Sequence, residues 1–180
     1  MKKVLVITGS ARKCGNSSKL AEAFMKGALE AGHEAERIDS AQLDVKGCVV
    51  CNNCFKDGRP CAMGDDFNLV APAIEKADVI VFATPIYWFT FPARIKAVID
   101  KLYAFCVAKT DLSGKECVLL ACGEAEDACT PDGLVASYHL IADYLKWKNA
   151  GELCVLGVSD PEDIDGSRAL ERARALGASL

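Results

Sequence analysis

Short apolar runs alternate with longer amphipathic stretches along this chain, and the alternation predicts most of its elements. Val4-Leu5-Val6-Ile7 is the first run; it is continuously apolar, as a parallel strand covered on both faces should be. Leu20, Ala23, Phe24, Gly27, Ala28 and Ala31 then share one face of a helix that opens at Ser17 and stops at Gly32. A weaker strand is expected from Glu34 to Ile38. Asp65 or Asp66 is placed to cap a helix running to Lys76, and Val79 to Ala83 is the most convincing buried strand. Ile95, Val98, Ile99, Leu102 and Cys106 form the next helical stripe. "KECVLLAC" supplies a fourth strand, Leu134, Tyr138, Ile141 and Leu145 a fourth helix, "ELCVLGV" a fifth strand, and Asp165 to Leu176 a closing helix. Five strands and five helices in strict alternation predict an α/β chain, a three-layer αβα sandwich on a five-stranded parallel sheet. With 180 residues, 51% of them hydrophobic, there is apolar material for one substantial core, so a single domain over 1–180 is expected.

Charge and composition narrow the setting. A formal net charge of -4 with no Lys/Arg-rich block offers nothing for nucleic acid or an anionic membrane to grip. The apolar run after Lys2-Lys3 meets Thr8-Gly9-Ser10 too soon to make a signal-peptide core or a membrane span. The expected location is the cytoplasm. In that reducing compartment the ten cysteines argue for metal or redox chemistry at a clustered subset rather than for a disulfide framework.

In a doubly wound sheet, ligands sit outside the carboxyl ends of the strands, so the loops there carry the functional signal. "TGSARKCGNSS", Thr8 to Ser18, joins the first strand to the first helix. Gly9 and Gly15 let the backbone turn closely, Ser10, Asn16, Ser17 and Ser18 bring hydroxyl and amide donors, and Arg12 brings a cation. Together they face a helix N-terminus where the dipole favours an anion, which makes the loop a phosphate cradle. It lacks the Gly-Lys-Ser/Thr of a P-loop and the G-x-G-x-x-G of a dinucleotide site. "TPIYWFTFP", Thr84 to Pro92, crowds Tyr87, Trp88, Phe89 and Phe91 between two stiffening prolines. A planar aromatic ligand suits Tyr87 and Trp88, whereas Phe89 and Phe91 serve equally well as cover for the sheet edge or for a partner subunit. Gly123 and Glu124, after the fourth strand, can add backbone groups to the same ligand.

"GSARKCGNS" followed by "TPIYWFTFPARIKAVIDK" closely resembles the NADPH-dependent FMN reductase group of flavodoxin-like proteins, from Met1 to about Ala125. The resemblance implies that Ser10, Arg12, Asn16 and Ser17 hold the FMN phosphate. It also implies that Pro85, Ile86, Tyr87 and Trp88 line the isoalloxazine ring. It implies an oxidoreductase that takes electrons from NAD(P)H or a ferredoxin-like donor to a small acceptor such as a flavin or quinone, assembled as a homodimer or homotetramer. The chemistry would reside in the flavin, with no catalytic side chain required.

The segment "GCVVCNNCFKDGRPC", within a cysteine-rich loop at about 47–64, spaces Cys48, Cys51, Cys54 and Cys61 as C-x2-C-x2-C-x6-C. This resembles the compact motif of iron-sulfur flavoproteins, in which four cysteines hold a [4Fe-4S] cluster beside FMN. Three thiolates at intervals of three can reach separate corners of one cubane, and Cys61 returns after Gly58 and Pro60 for the fourth. Mononuclear zinc suits the spacing less well, since it takes paired knuckles separated by a longer stretch. Free thiols or a reversible redox pair are the other reading, as is a role as electron carrier between protein partners.

Cys106, Cys117, Cys122 and Cys154 lie in apolar runs, where a cysteine behaves as a small buried hydrophobe. Cys14 lies in the phosphate loop without a sequence partner. His33 and His139 show neither metal-pair spacing nor a nucleophile to activate, and receive no role.

Overall fold

A computed structural model describes residues 1–180. The strands are β1 (Lys3–Thr8), β2 (Glu34–Asp39), β3 (Val79–Pro85), β4 (Glu116–Cys122) and β5 (Lys148–Val155). The helices are α1 (Asn16–Glu30), α2 (Phe67–Lys76), α3 (Ala93–Asp100), α4 (Tyr103–Ala108), α5 (Asp132–Leu145) and α6 (Arg168–Ala178). All four strand pairings are parallel, in the order β2-β1-β3-β4-β5. This is the expected flavodoxin-like α/β fold.

Successive residues of the inner strands point to opposite faces, and each face has its own core. Val4, Val6, Val79, Val81, Val118 and Leu120 pack with Leu20 and Phe24 of α1 and Ala173 of α6. Leu5, Ile7, Ile80, Phe82 and Leu119 pack on the other side with α2, α3, α4 and α5. Burial on both sides is the reason these strands read as continuous apolar runs. No helix is long and apolar enough to cross a membrane.

Three boundaries differ from the pattern, the simplest being the closing helix, which starts at Arg168 rather than Asp165. The stripe from Ile95 to Cys106 is not one helix but α3 and α4, which gives six helices rather than five. The backbone ladder tightens there: the N–H groups of Leu102, Ala104 and Phe105 bond carbonyls three residues back, at Ile99, Lys101 and Leu102. The break lets Lys101 turn inward, and Cys106 on the second piece is exposed rather than buried. β5 begins four residues earlier than "ELCVLGV" implies, because a bulge opposite Cys117/Val118 lets Lys148 and Asn149 pair before the apolar part begins.

α1 and α6 cross at glycines. A Cβ placed on Gly27 would lie 1.9 Å from the carbonyl oxygen of Arg174, and one on Gly177 would lie 2.0 Å from that of Phe24. Both obstacles are backbone, so neither can swing aside. Gly27→Ala is therefore expected to force the helices apart and lower stability by about 3 kcal/mol, read as a drop in the urea midpoint. An unchanged midpoint would show that the helices separate freely.

Candidate functional site

The chain runs outward in opposite directions from β1 and β3, and a cleft of about 880 Å³, counting its open mouth, lies beyond their carboxyl ends. Its walls come from three loops predicted to matter: Ser10, Arg12, Gly15, Asn16 and Ser17 after β1; Pro85, Ile86, Tyr87 and Trp88 after β3; Gly123 and Glu124 after β4. Cys122, Val158 and Ser159 complete it.

The first loop is a turn folded on itself. The N–H of Arg12 donates to Ser10 Oγ at 3.1 Å and the N–H of Gly15 to the Arg12 carbonyl at 3.2 Å. Gly15 stands at the N-cap of α1 with no side-chain cap, and the first turn holds no acidic residue. The leading N–H groups of the helix are thus left for an anion. Gly9 permits this approach, since a Cβ there would lie 2.5 Å from Thr84 Oγ1. Ser18 departs from expectation and does not line the cleft. It is buried beneath the loop, where its hydroxyl donates to the Arg12 carbonyl at 3.3 Å and accepts from Arg37 Nη2 at 3.2 Å.

The segment after β5, which the sequence pattern did not single out, straps this loop. Arg12 Nη1 donates to the Ser159 carbonyl at 2.9 Å, Asn16 Nδ2 to that of Asp160 at 2.9 Å, and Lys19 Nζ to that of Pro161 at 2.8 Å. Asn16 Oδ1 is buried with no hydrogen-bond partner. The available signal was positional: this too is a carboxyl-end loop.

Tyr87 and Thr90 exchange backbone hydrogen bonds of 3.0 and 3.1 Å around Trp88 and Phe89, whose φ angles are 48° and 64°. A tight turn of that hand normally takes Asn and Gly. Two bulky aromatics there store strain of the kind concentrated at functional sites. Trp88 is 92% exposed, beside half-exposed Tyr87 and Phe89. Phe91 instead enters the core, edge-on to Phe82 at 5.8 Å. Gly133 seats the turn, because a Cβ there would lie 2.6 Å from the Phe89 carbonyl oxygen. Cys122 lies in the cleft floor, where burial pushes its thiol up to about 12 against a lowering bond from Ser17. It is therefore a neutral thiol. Burial likewise raises Cys117 and Cys154. Cys14 is exposed. His33 Nδ1 accepts from the Lys2 backbone N–H, and His139 pairs with Glu152 at 2.8 Å.

A second cavity, about 350 Å³ counting its open mouth, brings together Cys48, Cys51, Cys54 and Cys61. No three His, Cys, Asp or Glu side chains converge as they would on a single metal ion; the four thiols are spread around a common space. Burial raises the Cys54 thiol, followed by the proximity of Cys51, Cys61 and Cys48. Val50, Asn52 and Phe55 adopt φ of 53°, 55° and 58°, and for β-branched Val50 that is an outlier. The loop is pinned at both ends. Asp66 stands at the N-cap of α2 and Asp65 Oδ1 accepts from the N–H of Phe67 at 3.2 Å, while their other oxygens bond backward: Asp65 Oδ2 accepts from Lys46 N at 2.9 Å and Asp66 Oδ2 from Asp44 N at 2.7 Å. Asn68 clamps Cys61, accepting from its N–H at 2.6 Å and donating to its carbonyl at 3.1 Å. Beneath the cavity lies Lys101, 2% exposed, which donates from Nζ to Asp65 Oδ2 and, at 3.2 Å, to Cys61 Sγ. Burial is the largest influence and works against both charges, but their mutual hydrogen bond and attraction, with the Lys46 and Phe67 N–H groups on Asp65 and Cys61 on Lys101, together outweigh it, holding Asp65 below the usual carboxylate range and Lys101 above the usual amine range.

Comparison with known proteins places these features. The family model for NADPH-dependent FMN reductase matches residues 2–147. An iron-sulfur flavoprotein of Archaeoglobus fulgidus is 30% identical over 103 residues, 57% of this chain and 46% of that one. One of Methanosarcina thermophila is 32% identical over 99 residues, 55% of this chain and 51% of that one. The match thus spans about half the length of these curated relatives. Among solved structures, an azoreductase of Bacillus anthracis superposes with a TM-score of 0.77 at 20% identity, covering 100% of both chains, a likeness of fold.

Proposed function

Because this chain belongs to the NADPH-dependent FMN reductase family, we propose that it holds FMN in the cleft beyond β1 and β3. There it passes electrons from NAD(P)H or a ferredoxin-like donor to a small acceptor such as a flavin or quinone. The observation that carries this reading is the composition of one cleft: an uncapped helix start with a cation at one end, and a strained aromatic turn at the other. The residues fit the cofactor. Arg12 spends one guanidinium N–H on Ser159 and keeps others for phosphate. Ser10 and Ser17 add hydroxyls, and the unpartnered Asn16 Oδ1 is an acceptor suited to a hydroxyl such as those of a ribityl chain. Pro85, Ile86, Tyr87 and Trp88 offer apolar surface to a flat ring, and the neutral Cys122 thiol brings no charge to it. When bound, FMN supplies the hydride and single-electron chemistry; the protein positions it and shields it from water.

The second cavity favours a further cofactor. Four thiols around one space, held by a loop strained at Val50, Asn52 and Phe55, fit a [4Fe-4S] cluster ligated by Cys48, Cys51, Cys54 and Cys61. Such a cluster stores single electrons, and it is the feature that favours the alternative reading, an electron carrier between protein partners.

Steady-state assays separate the two. The FMN-loaded protein is expected to oxidise NADPH or NADH with multiple turnovers when a quinone is present. Oxidation confined to a single turnover with every acceptor, alongside electron exchange with a ferredoxin, would replace the enzyme by the carrier.

A further inference from the structure

A buried ion pair is weak evidence for stability, since apolar side chains of similar volume often serve a fold as well or better. The pair Asp65–Lys101 therefore asks for an explanation, and its surroundings supply one. Lys101 is the only charged residue on the wall of the four-cysteine cavity. Its ammonium has three N–H donors. One meets Asp65, one meets Cys61 Sγ at 3.2 Å, and the head group lies 5.8 Å from the centre of the Phe67 ring. Asp65 is itself held by the backbone N–H groups of Lys46 and Phe67, so its carboxylate cannot turn away. Lys101 also sits where α3 ends, the position at which a helix favours a cation. The break between α3 and α4 is what lets this side chain go inward.

Resting on the reading of the cysteine loop as a [4Fe-4S] site, we infer that Lys101 sets the reduction potential of that site, with Asp65 as its counterweight. Reduction adds one electron and so one negative charge behind four thiolates; no bond is made or broken. A fixed ammonium bonded to one of the ligating sulfurs favours that added charge, and the carboxylate beside it opposes it. Hydrogen bonds to sulfur and net charge are the protein's main means of setting such potentials. Lys101 is a positioning residue here: it touches a ligand and acts through it.

The two partners predict opposite signs, which a purely structural clamp would not. The experiment is a dithionite titration of protein made anaerobically with ample iron, followed by EPR of the cluster, with bound FMN in the same sample as control. Lys101→Met is expected to lower the ratio of reduced to oxidised cluster at fixed poise about tenfold, or about 59 mV for a one-electron couple. Asp65→Asn is expected to raise that ratio, and Lys101→Arg, which keeps the charge, to recover most of the loss. The double variant Asp65→Asn/Lys101→Met strands no charge and covers the case in which the single Lys101→Met fails to fold; it too should titrate below wild type, because the bond to Cys61 is gone. Iron-loaded variants whose cluster potentials match wild type would overturn the role of Lys101 while leaving the cluster in place. Wild-type protein without iron would remove the cluster reading, and this inference with it.

Discussion

Cys51→Ser is expected to empty the cysteine loop of iron while leaving FMN in place. Protein made anaerobically with ample iron should carry about four irons and four sulfides per chain, and the variant should carry less than about one. The size of the effect follows from the geometry. Cys51 sits mid-loop between Val50 and Asn52, both at positive φ, so its sulfur is aimed by a backbone conformation that no neighbouring thiol can reproduce. A serine hydroxyl there is too weak an acid to replace a thiolate among ligands that must be deprotonated. The loop should nevertheless survive the loss, because Asp65, Asp66 and Asn68 pin it through backbone bonds that involve no cysteine side chain. Iron and sulfide analysis with EPR of the reduced protein makes the measurement. Wild-type protein with FMN bound and only a trace of iron would leave a flavin reductase with a thiol-rich loop.

What was legible in the sequence was legible for physical reasons. β1, β3 and β4 are buried on both faces and so write themselves as apolar runs. β2, at the sheet edge and alternating in charge, is a faint signal. The carboxyl-end loops stood out because close turns require Gly and anion cradles require hydroxyls and a cation; Ser10, Arg12, Gly15, Asn16, Ser17, Tyr87, Trp88, Gly123 and Glu124 line the cleft, whereas Ser18, Phe89 and Phe91 do not. Ser18 looks identical to Ser17 in sequence, but one helical step rotates it away from the cleft to support Arg12 from below. The strap at Ser159 and Asp160 went unseen because it contributes carbonyls, which every residue has. Lys101 was hidden for the opposite reason: a lysine at the end of an amphipathic helix reads as solvated, and only its partner Asp65, thirty-six residues earlier in the chain, explains its burial.

The cleft's assignment rests on one physical claim, that the loop between β1 and α1 reads a phosphate. Arg12, the uncapped start of α1 and the hydroxyls of Ser10 and Ser17 supply several donors to a dianion. Charge-assisted bonds contribute about 1.5 to 3 kcal/mol each. Riboflavin offers the same ring and ribityl chain without the phosphate. Fluorescence-quenching titration of flavin-free protein with each ligand should therefore find FMN bound more tightly by at least about a hundredfold, the worth of two such bonds. Equal affinities for FMN and riboflavin would contradict the claim, showing that no phosphate is read at this helix start.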